Sequence, residues 1–185
     1  MATTKRAATP KTKAAAKPAE APEVADVTEV TKKITPKEVD PHEYVTVRNG
    51  SRGKLIYISP RTGERFVWEE FGDEQELELQ ELRNAKAANK KFYERNWFMF
   101  DEEYEWVIDY LGVGAFYRNA ININHFDDLF QKTPKEIADI LKGLSDGQKR
   151  SVSYRARQLI AEGEIDSMKV IDALEKGLGV ELVER

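Results

Sequence analysis

The chain has 185 residues, of which 34% are charged, and a formal net charge of −4 at pH 7. It contains no cysteine, which excludes disulfides, thiolate metal sites and cysteine nucleophiles together. No run of residues approaches the length of an apolar membrane span, and the charged N-terminus lacks the apolar segment of a secretory signal. We therefore expect one main domain and no membrane contact.

Residues 1–40 are predicted to form a disordered arm in front of a single domain over residues 41–185. The first aromatic residue is Tyr44, so the arm cannot bury enough apolar surface to offset the entropy lost on ordering. Residues 1–19 carry a charge of +5, whereas residues 20–40 carry −3. Nucleic acid or another anionic partner is a candidate for the basic part, through Lys5, Arg6, Lys11, Lys13 and Lys17. The other interpretation is a passive solubilising tail.

Residues 43–71 are predicted to form a three-stranded antiparallel β-meander. Tyr44–Arg48 alternates apolar and polar side chains, and Asn49-Gly50 after it is a strong hairpin signal. In the second strand, residues 55–58 are consecutively apolar, which predicts a central strand covered on both faces. The third strand is predicted over Glu64–Glu69.

Residues 73–131 are predicted to form an aromatic-rich helical hub. Of the 18 aromatic residues in the chain, 12 lie between positions 92 and 130, and each ring buries a large apolar area. Asp73 resembles the start of a capping box, which predicts a helix from there to about Arg95. Asp101 is the predicted N-cap of a second helix that glycines 112 and 114 end, and Asn124 that of a short third one. The rings expected to be mostly buried are Trp97, Trp106, Tyr110 and Phe126.

Residues 133–185 are predicted to form capped C-terminal helices. Thr133-Pro134-Lys135-Glu136 has an N-cap residue, a proline at the first helical position and an acid three residues after the cap. Ser145 and Gln148 repeat the capping pattern, and Asp166 or Ser167 is expected to cap a last helix ended by glycines 177 and 179. A short strand over residues 180–183 is a further possibility. The fold class expected is a mostly helical α+β domain, with the meander packed on about five to six helices.

No pattern in the sequence predicts catalysis, a metal site or a cofactor. The two histidines are far apart, and the aspartates that follow His125 would supply ligands without a third short-spaced partner. Asp101, Glu105 and Asp109 share one face of the predicted second helix. A carboxylate stripe on a surface helix is more often solvated than held in the desolvated cleft that acid–base catalysis needs. We therefore expect a protein that is not an enzyme.

The helix that follows Ser145 carries a basic and aromatic face. One interpretation is the recognition helix of a helix-turn-helix. The other is a solvated face whose cations pair with the acids at the end of the helix, and the charge of −6 on residues 41–185 opposes attraction to phosphates. The candidate nucleic-acid or partner contacts are Lys149, Arg150, Tyr154 and Arg157.

Three segments carry a family resemblance: Gly63–Gln75, Trp106–Gly112 and Leu144–Ile160. Together they resemble a group of uncharacterised proteins encoded by tailed bacteriophages, chiefly of Gram-positive hosts. The likeness covers the chain from about Tyr44 onward and includes no catalytic motif. It implies a viral origin and a component of the virion, assembled in the host cytoplasm.

These observations predict a non-enzymatic bacteriophage structural or assembly protein. It would bind other virion proteins, in an oligomeric assembly, through its arm and its meander. One alternative is a DNA-binding regulator or packaging factor that uses the helix-turn-helix-like C-terminal region. The other is a host-interaction or defence-inhibitor protein.

Overall fold

The computed structural model describes residues 39–183, which belong to one compact unit. The described part is α+β, as the sequence predicts. Nearly all of the predicted arm, including its candidate contacts Lys5, Arg6, Lys11, Lys13 and Lys17, lies outside the described residues. The strands are β1 (Tyr44–Asn49), β2 (Leu55–Ile58), β3 (Arg65–Trp68), β4 (Glu74–Glu78) and β5 (Phe98–Met99).

Helices account for more of the described chain than strands do. The helices are α1 (Leu79–Ala88), α2 (Lys91–Glu94), α3 (Glu105–Leu111), α4 (Gly114–Tyr117), α5 (Pro134–Gly143), α6 (Asp146–Glu162) and α7 (Met168–Leu178). Three 3-10 turns accompany them, at Glu102–Tyr104, Ile123–His125 and Asp127–Gln131. The described part thus has more helices than the predicted five to six, because α2 and α4 are separate four-residue helices. None of these helices is long and apolar enough to cross a bilayer.

The strand pairing differs from the predicted meander. β1 pairs antiparallel with β4 on one side and β5 on the other, while β2 and β3 form a separate two-stranded sheet. The loop after β1 explains the difference. The amide nitrogen Nδ2 of Asn49 donates to the carbonyl of Gly53 in this loop and to that of Glu70 just after β3, at 2.7 and 2.8 Å. These bonds hold the loop against the segment that follows β3. The strand β2 therefore does not fold back along β1, as the meander requires.

The helix predicted from Asp73 is wrong over its first turn, where the structure has β4. The carboxylate of Asp73 accepts hydrogen bonds from the backbone N–H groups of Glu69 and Glu70, at 2.8 and 3.0 Å. It therefore caps the turn between β3 and β4. The helix α1 begins only at Leu79 and ends at Ala88, and the short α2 follows before the position where one long helix was expected to end.

The strand β2 is covered on one face only, which corrects the expectation of a central strand. Leu55 and Tyr57 are buried, whereas Ile56 and Ile58 are 39% and 58% exposed. The outer face of the two-stranded sheet of β2 and β3 is not covered by another layer of the described chain, so the two isoleucines are exposed to solvent.

The apolar interior consists of two clusters. The first contains the inward residues of β1 to β4 and α1, with Trp68, Tyr93 and Phe98 among its members. The second contains the inward residues of α5, α6 and α7 and the rings of Phe126 and Phe130. The aromatic segment contributes to both. Of the rings expected to be mostly buried, Phe126 is 2% exposed, and Trp97, Trp106 and Tyr110 are intermediate in exposure and pack against the first cluster.

The C-terminal helices begin where their caps predict. Thr133 forms both bonds of a capping box with Glu136, and Ser145 accepts from the backbone of Gln148 at 3.2 Å. The Gln148 side chain does not return the bond. Gly177 lies inside α7, and only Gly179 ends it in the left-handed conformation. The tail over residues 180–183 forms no strand.

Two predicted caps in the hub are also corrected. Asp101 makes no capping bond, because its carboxylate accepts from Nε of Arg48 at 2.7 Å. The residues after it form a 3-10 turn, and α3 begins at Glu105. At the short turn Ile123–His125, the capping side chain is Asn122 rather than Asn124.

Candidate interaction surfaces

The four residues predicted as contacts all lie on α6, in different surroundings. Arg150 is exposed and lines a cleft at the start of the helix. Arg157 lies two turns further on and donates to the backbone carbonyl of Glu181 at 2.7 Å. Tyr154 accepts a hydrogen bond from Gln158 through its hydroxyl, and Lys149 is partly buried. Arg150, Tyr154 and Arg157 thus follow one another at i, i+4 and i+7 along α6, and Tyr154 and Arg157 are engaged in contacts within the chain.

The first turn of α6 is packed into the body. Gln148 is fully buried, and its side-chain amide bonds to both the N–H and the C=O of Ile121, each at 3.0 Å. Ser151 is buried as well and donates to the carbonyl of Gly50. A recognition helix presents its N-terminal residues to the bases of a groove. In this chain Gln148 and Ser151 are occupied by intramolecular contacts, whereas Arg150 between them is exposed.

The cleft beside Arg150 has a volume of about 460 Å³ and lies where three segments of the chain meet. These segments are the loop between β1 and β2, the stretch that follows α2, and the first turn of α6. Its lining residues that carry charge or a ring are Arg52, Lys54, Glu94, Arg95, Trp97, Asp146 and Arg150.

Asn96 holds the three segments together. It is 1% exposed, and it has a positive φ of 53°, the conformation that asparagine tolerates better than most residues. Its side chain donates to the carbonyl of Phe116 at 3.0 Å and accepts from the hydroxyl of Ser145 at 2.7 Å. Gly50 and Gly147 also pack directly against the backbone of residues 95–96. A Cβ at either glycine would overlap that backbone, so only glycine allows this close approach. The walls of the cleft are thus closely fitted.

The cleft presents three arginines that form no ion pair with a described acid. Among the described residues, no ion pair within 4.0 Å involves Arg52, Arg95 or Arg150. The guanidinium carbon of Arg95 lies 5.4 Å from the centre of the Trp97 ring, which is a cation–π contact. Lys54 differs from these arginines, since its ammonium binds Glu69 at 2.7 Å.

The hairpin of β2 and β3 has a second type of surface, an unpaired apolar edge. Ser59 donates to the carbonyl of Glu64, so hydrogen-bonded pairs fall at Ser59, Tyr57 and Leu55 along β2. The backbone groups of Ile56 and Ile58 therefore point away from β3. In the described part of the chain no strand pairs with that side of β2. We call Ile56 and Ile58, with their outward backbone groups, the β2 edge.

Among the described residues, the carboxylates near His125 are divided between two sets of contacts. His125 contacts Glu102 at 2.9 Å and Asp128 at 3.0 Å, and these hydrogen bonds, first that of Glu102, raise the pKa of the exposed imidazole. Asp127 instead binds Arg155 through both carboxylate oxygens. Among the described residues, no group of three or more His, Asp or Glu side chains is arranged so that it could hold a metal ion.

The predicted acidic stripe is also divided. Asp101 binds Arg48, and Glu105 accepts from the side chain of Asn122 at 3.3 Å. Asp101 and Glu105 are therefore engaged in different contacts, and Asp109 is exposed to solvent.

Comparison with known proteins adds no family. The chain matches no protein-family model and has no significant match among curated proteins or solved structures.

Proposed function

We propose that the protein is a non-enzymatic bacteriophage structural or assembly protein that binds another virion protein. The observation that carries this proposal is the β2 edge, where an unpaired strand edge coincides with two exposed isoleucines. The resemblance of residues 63–75, 106–112 and 144–160 to proteins of tailed bacteriophages supports the viral setting.

An exposed strand edge is a template for pairing with another chain, and proteins usually protect such edges with charge, proline or a bulge. Here the two outward residues of β2 are both β-branched and apolar, so the edge lacks that protection. Strand addition uses main-chain hydrogen bonds for affinity and alternate side chains for specificity. The edge fits an extended segment of a neighbouring subunit that adds as a further strand.

The surroundings of the edge define the chemistry of the segment that it accepts. Arg65 lies opposite Ile58 in the hairpin and is exposed, and Arg61 is exposed in the turn between the two strands. A segment with alternating apolar side chains and an acidic residue at the turn end would therefore complement this surface.

The test compares two double variants in assembled phage particles. In Ile56→Lys with Ile58→Lys, two charges flank the edge and oppose strand addition. The control is Met168→Lys with Val180→Lys, which adds the same charge at apolar residues that are 54% and 39% exposed. We expect the copy number of the edge variant in purified particles, measured by quantitative mass spectrometry, to fall at least tenfold while the control stays at the wild-type level.

Two results would contradict the proposal. Absence of the wild-type chain from purified particles, together with no binding to capsid, neck or tail proteins, would exclude a virion role. Incorporation of the edge variant at the control level would leave a virion protein whose contact is elsewhere.

A further inference from the structure

We propose that the cleft formed by Arg52, Arg95, Trp97 and Arg150 is a binding site for single-stranded nucleic acid. The inference does not rest on the virion role, since it follows from the charge and shape of this cleft alone.

The arginines provide the phosphate contacts. Each comes from a different segment, and none has an ion-pair partner among the described residues. The planar guanidinium group has a fork of donors that fits a phosphate in a bidentate manner. Two acids, Glu94 and Asp146, also line the cleft and lower its net charge. They lie beyond ion-pair distance of the three arginines, so the donors remain available to a ligand.

The ring of Trp97 favours an unpaired base over a duplex. Trp97 is partly buried within the lining, and Arg95 extends its ring through the cation–π contact. Proteins read duplex DNA with elements that protrude into a groove. The ring and the guanidinium group line a cleft in which an unpaired base can stack on them, and such stacking is the usual basis of single-strand binding.

The frame of the cleft is organised before a ligand arrives. Asn96, Gly50 and Gly147 fix the three walls through the buried bonds and the close backbone contacts described above. The arginines therefore project from backbone that needs no ordering on binding, which reduces the entropic cost of association.

The first experiment measures binding of a fluorescein-labelled 12-nucleotide oligothymidylate to the full chain by anisotropy at several salt concentrations. Arg52→Gln with Arg150→Gln removes two phosphate contacts, and Arg83→Gln with Arg118→Gln is the control of equal charge at exposed arginines outside the cleft. We expect the cleft variant to bind about tenfold more weakly or worse and the control to keep its affinity. The slope of log K against log salt should fall by about 1.4 in the cleft variant, since each single-strand phosphate contact contributes about 0.7.

The second experiment tests stacking. Unlabelled oligothymidylate should quench part of the tryptophan fluorescence of the wild-type chain, and Trp97→Phe should abolish that quenching while the folded circular dichroism spectrum is retained. Trp68 and Trp106 remain in this variant as internal reporters.

Three outcomes would overturn the proposal. The first is the absence of saturable binding at low salt. The second is an equal loss in the two double variants, which would show attraction by overall charge or by the basic arm. The third is binding of a labelled peptide of residues 20–40, dependent on Arg52 and Arg150, without binding of the oligonucleotide; the cleft would then accept an acidic peptide.

Discussion

Three tyrosines illustrate how single residues stabilise the interior. Tyr57 donates to the carboxylate of Glu81 at 2.5 Å, Tyr93 to the carbonyl of Leu82 at 2.7 Å, and Tyr117 to that of residue 98 at 2.6 Å. Burial, as the largest cause, raises the pKa of all three phenols well above the usual value. An ionised phenol would lose its solvation and face an acceptor that it can no longer supply with a proton.

This shift predicts alkaline unfolding. The contribution of these phenols to stability is fully present below their pKa in the unfolded state, which is about 10. Above that pH the unfolded state releases the protons and the folded state does not, so the contribution is lost as the pH rises through the pKa of the folded state. We expect the phenolate absorbance at 295 nm to show a late step that coincides with the loss of the far-UV circular dichroism. Tyr57→Phe should reduce the amplitude of that step. Complete ionisation of all seven tyrosines before any loss of structure would contradict the prediction.

Of the residues that form the cleft, the sequence pattern selects only Arg150, because that pattern lies on one helix. Arg52, Arg95 and Trp97 lie on two other segments, and no local pattern connects them with α6. The relevant signals were present but incomplete: Gly50, Asn96 and Gly147 are residues that tolerate close approach or positive φ. Only tertiary packing shows that they meet at one place.

At the scale of elements, local chemistry predicts some boundaries and fails at others. The start of α5 follows from a cap, a proline and an acid within four residues, all of which act locally. The strand β4 depends instead on β1, with which it pairs over five positions. Its acidic composition favours a helix, and its single apolar residue, Leu77, gives no period-two pattern. Pairing with a distant strand overrides the local preference.

The role of Asp73 separates the two interpretations of this region. In the structure its carboxylate caps the turn at residues 69–70, so Asp73→Ala should destabilise the protein by about 1 kcal/mol. Glu76→Ala is the control, because Glu76 is exposed in β4 and would carry the reciprocal bond of the predicted capping box. Urea unfolding should show a smaller effect for Glu76→Ala. Equal losses for the two variants would instead support a capping box.

The docking of α6 gives a prediction with a matched pair of glycines. Gly147→Ala places a methyl group against the backbone of Arg95. That backbone cannot move without disturbing the buried contacts of the adjacent Asn96, so we expect the free energy of unfolding to fall by about 1–3 kcal/mol. Gly143 is the last residue of α5, and the methyl group of Gly143→Ala would lie 3.6 Å from Asn119, which is an ordinary contact. This variant should therefore be neutral or slightly stabilising. Chemical denaturation of both variants is the measurement. A neutral Gly147→Ala would mean that α6 is less closely docked than the structure shows.

At the scale of the whole molecule, the two apolar clusters are connected by a small number of specific contacts. In β5, Phe98 belongs to the first cluster and Met99 to the second. Phe71, in the turn between β3 and β4, packs against Phe126 with ring centres 4.7 Å apart. β5 begins two residues after Asn96, and Gly50 lies against both Asn96 and Met99, so the frame of the cleft is also a junction of the two clusters.

The junction predicts a single cooperative transition that depends on Asn96. All three tryptophans lie in or against the first cluster, so their fluorescence reports on it, whereas α5, α6 and α7 dominate the ellipticity from the second. We expect coincident urea midpoints for the two signals in the wild type.

Asn96→Gly retains the positive φ but removes the bonds to Phe116 and Ser145, which should lower the free energy of unfolding by about 2 kcal/mol and favour separation of the midpoints. Asn124→Gly, at an exposed asparagine, should cost less than half as much and keep the midpoints together. Separate midpoints in the wild type would show instead that the clusters unfold independently, and the cleft would then lie between parts that move relative to each other.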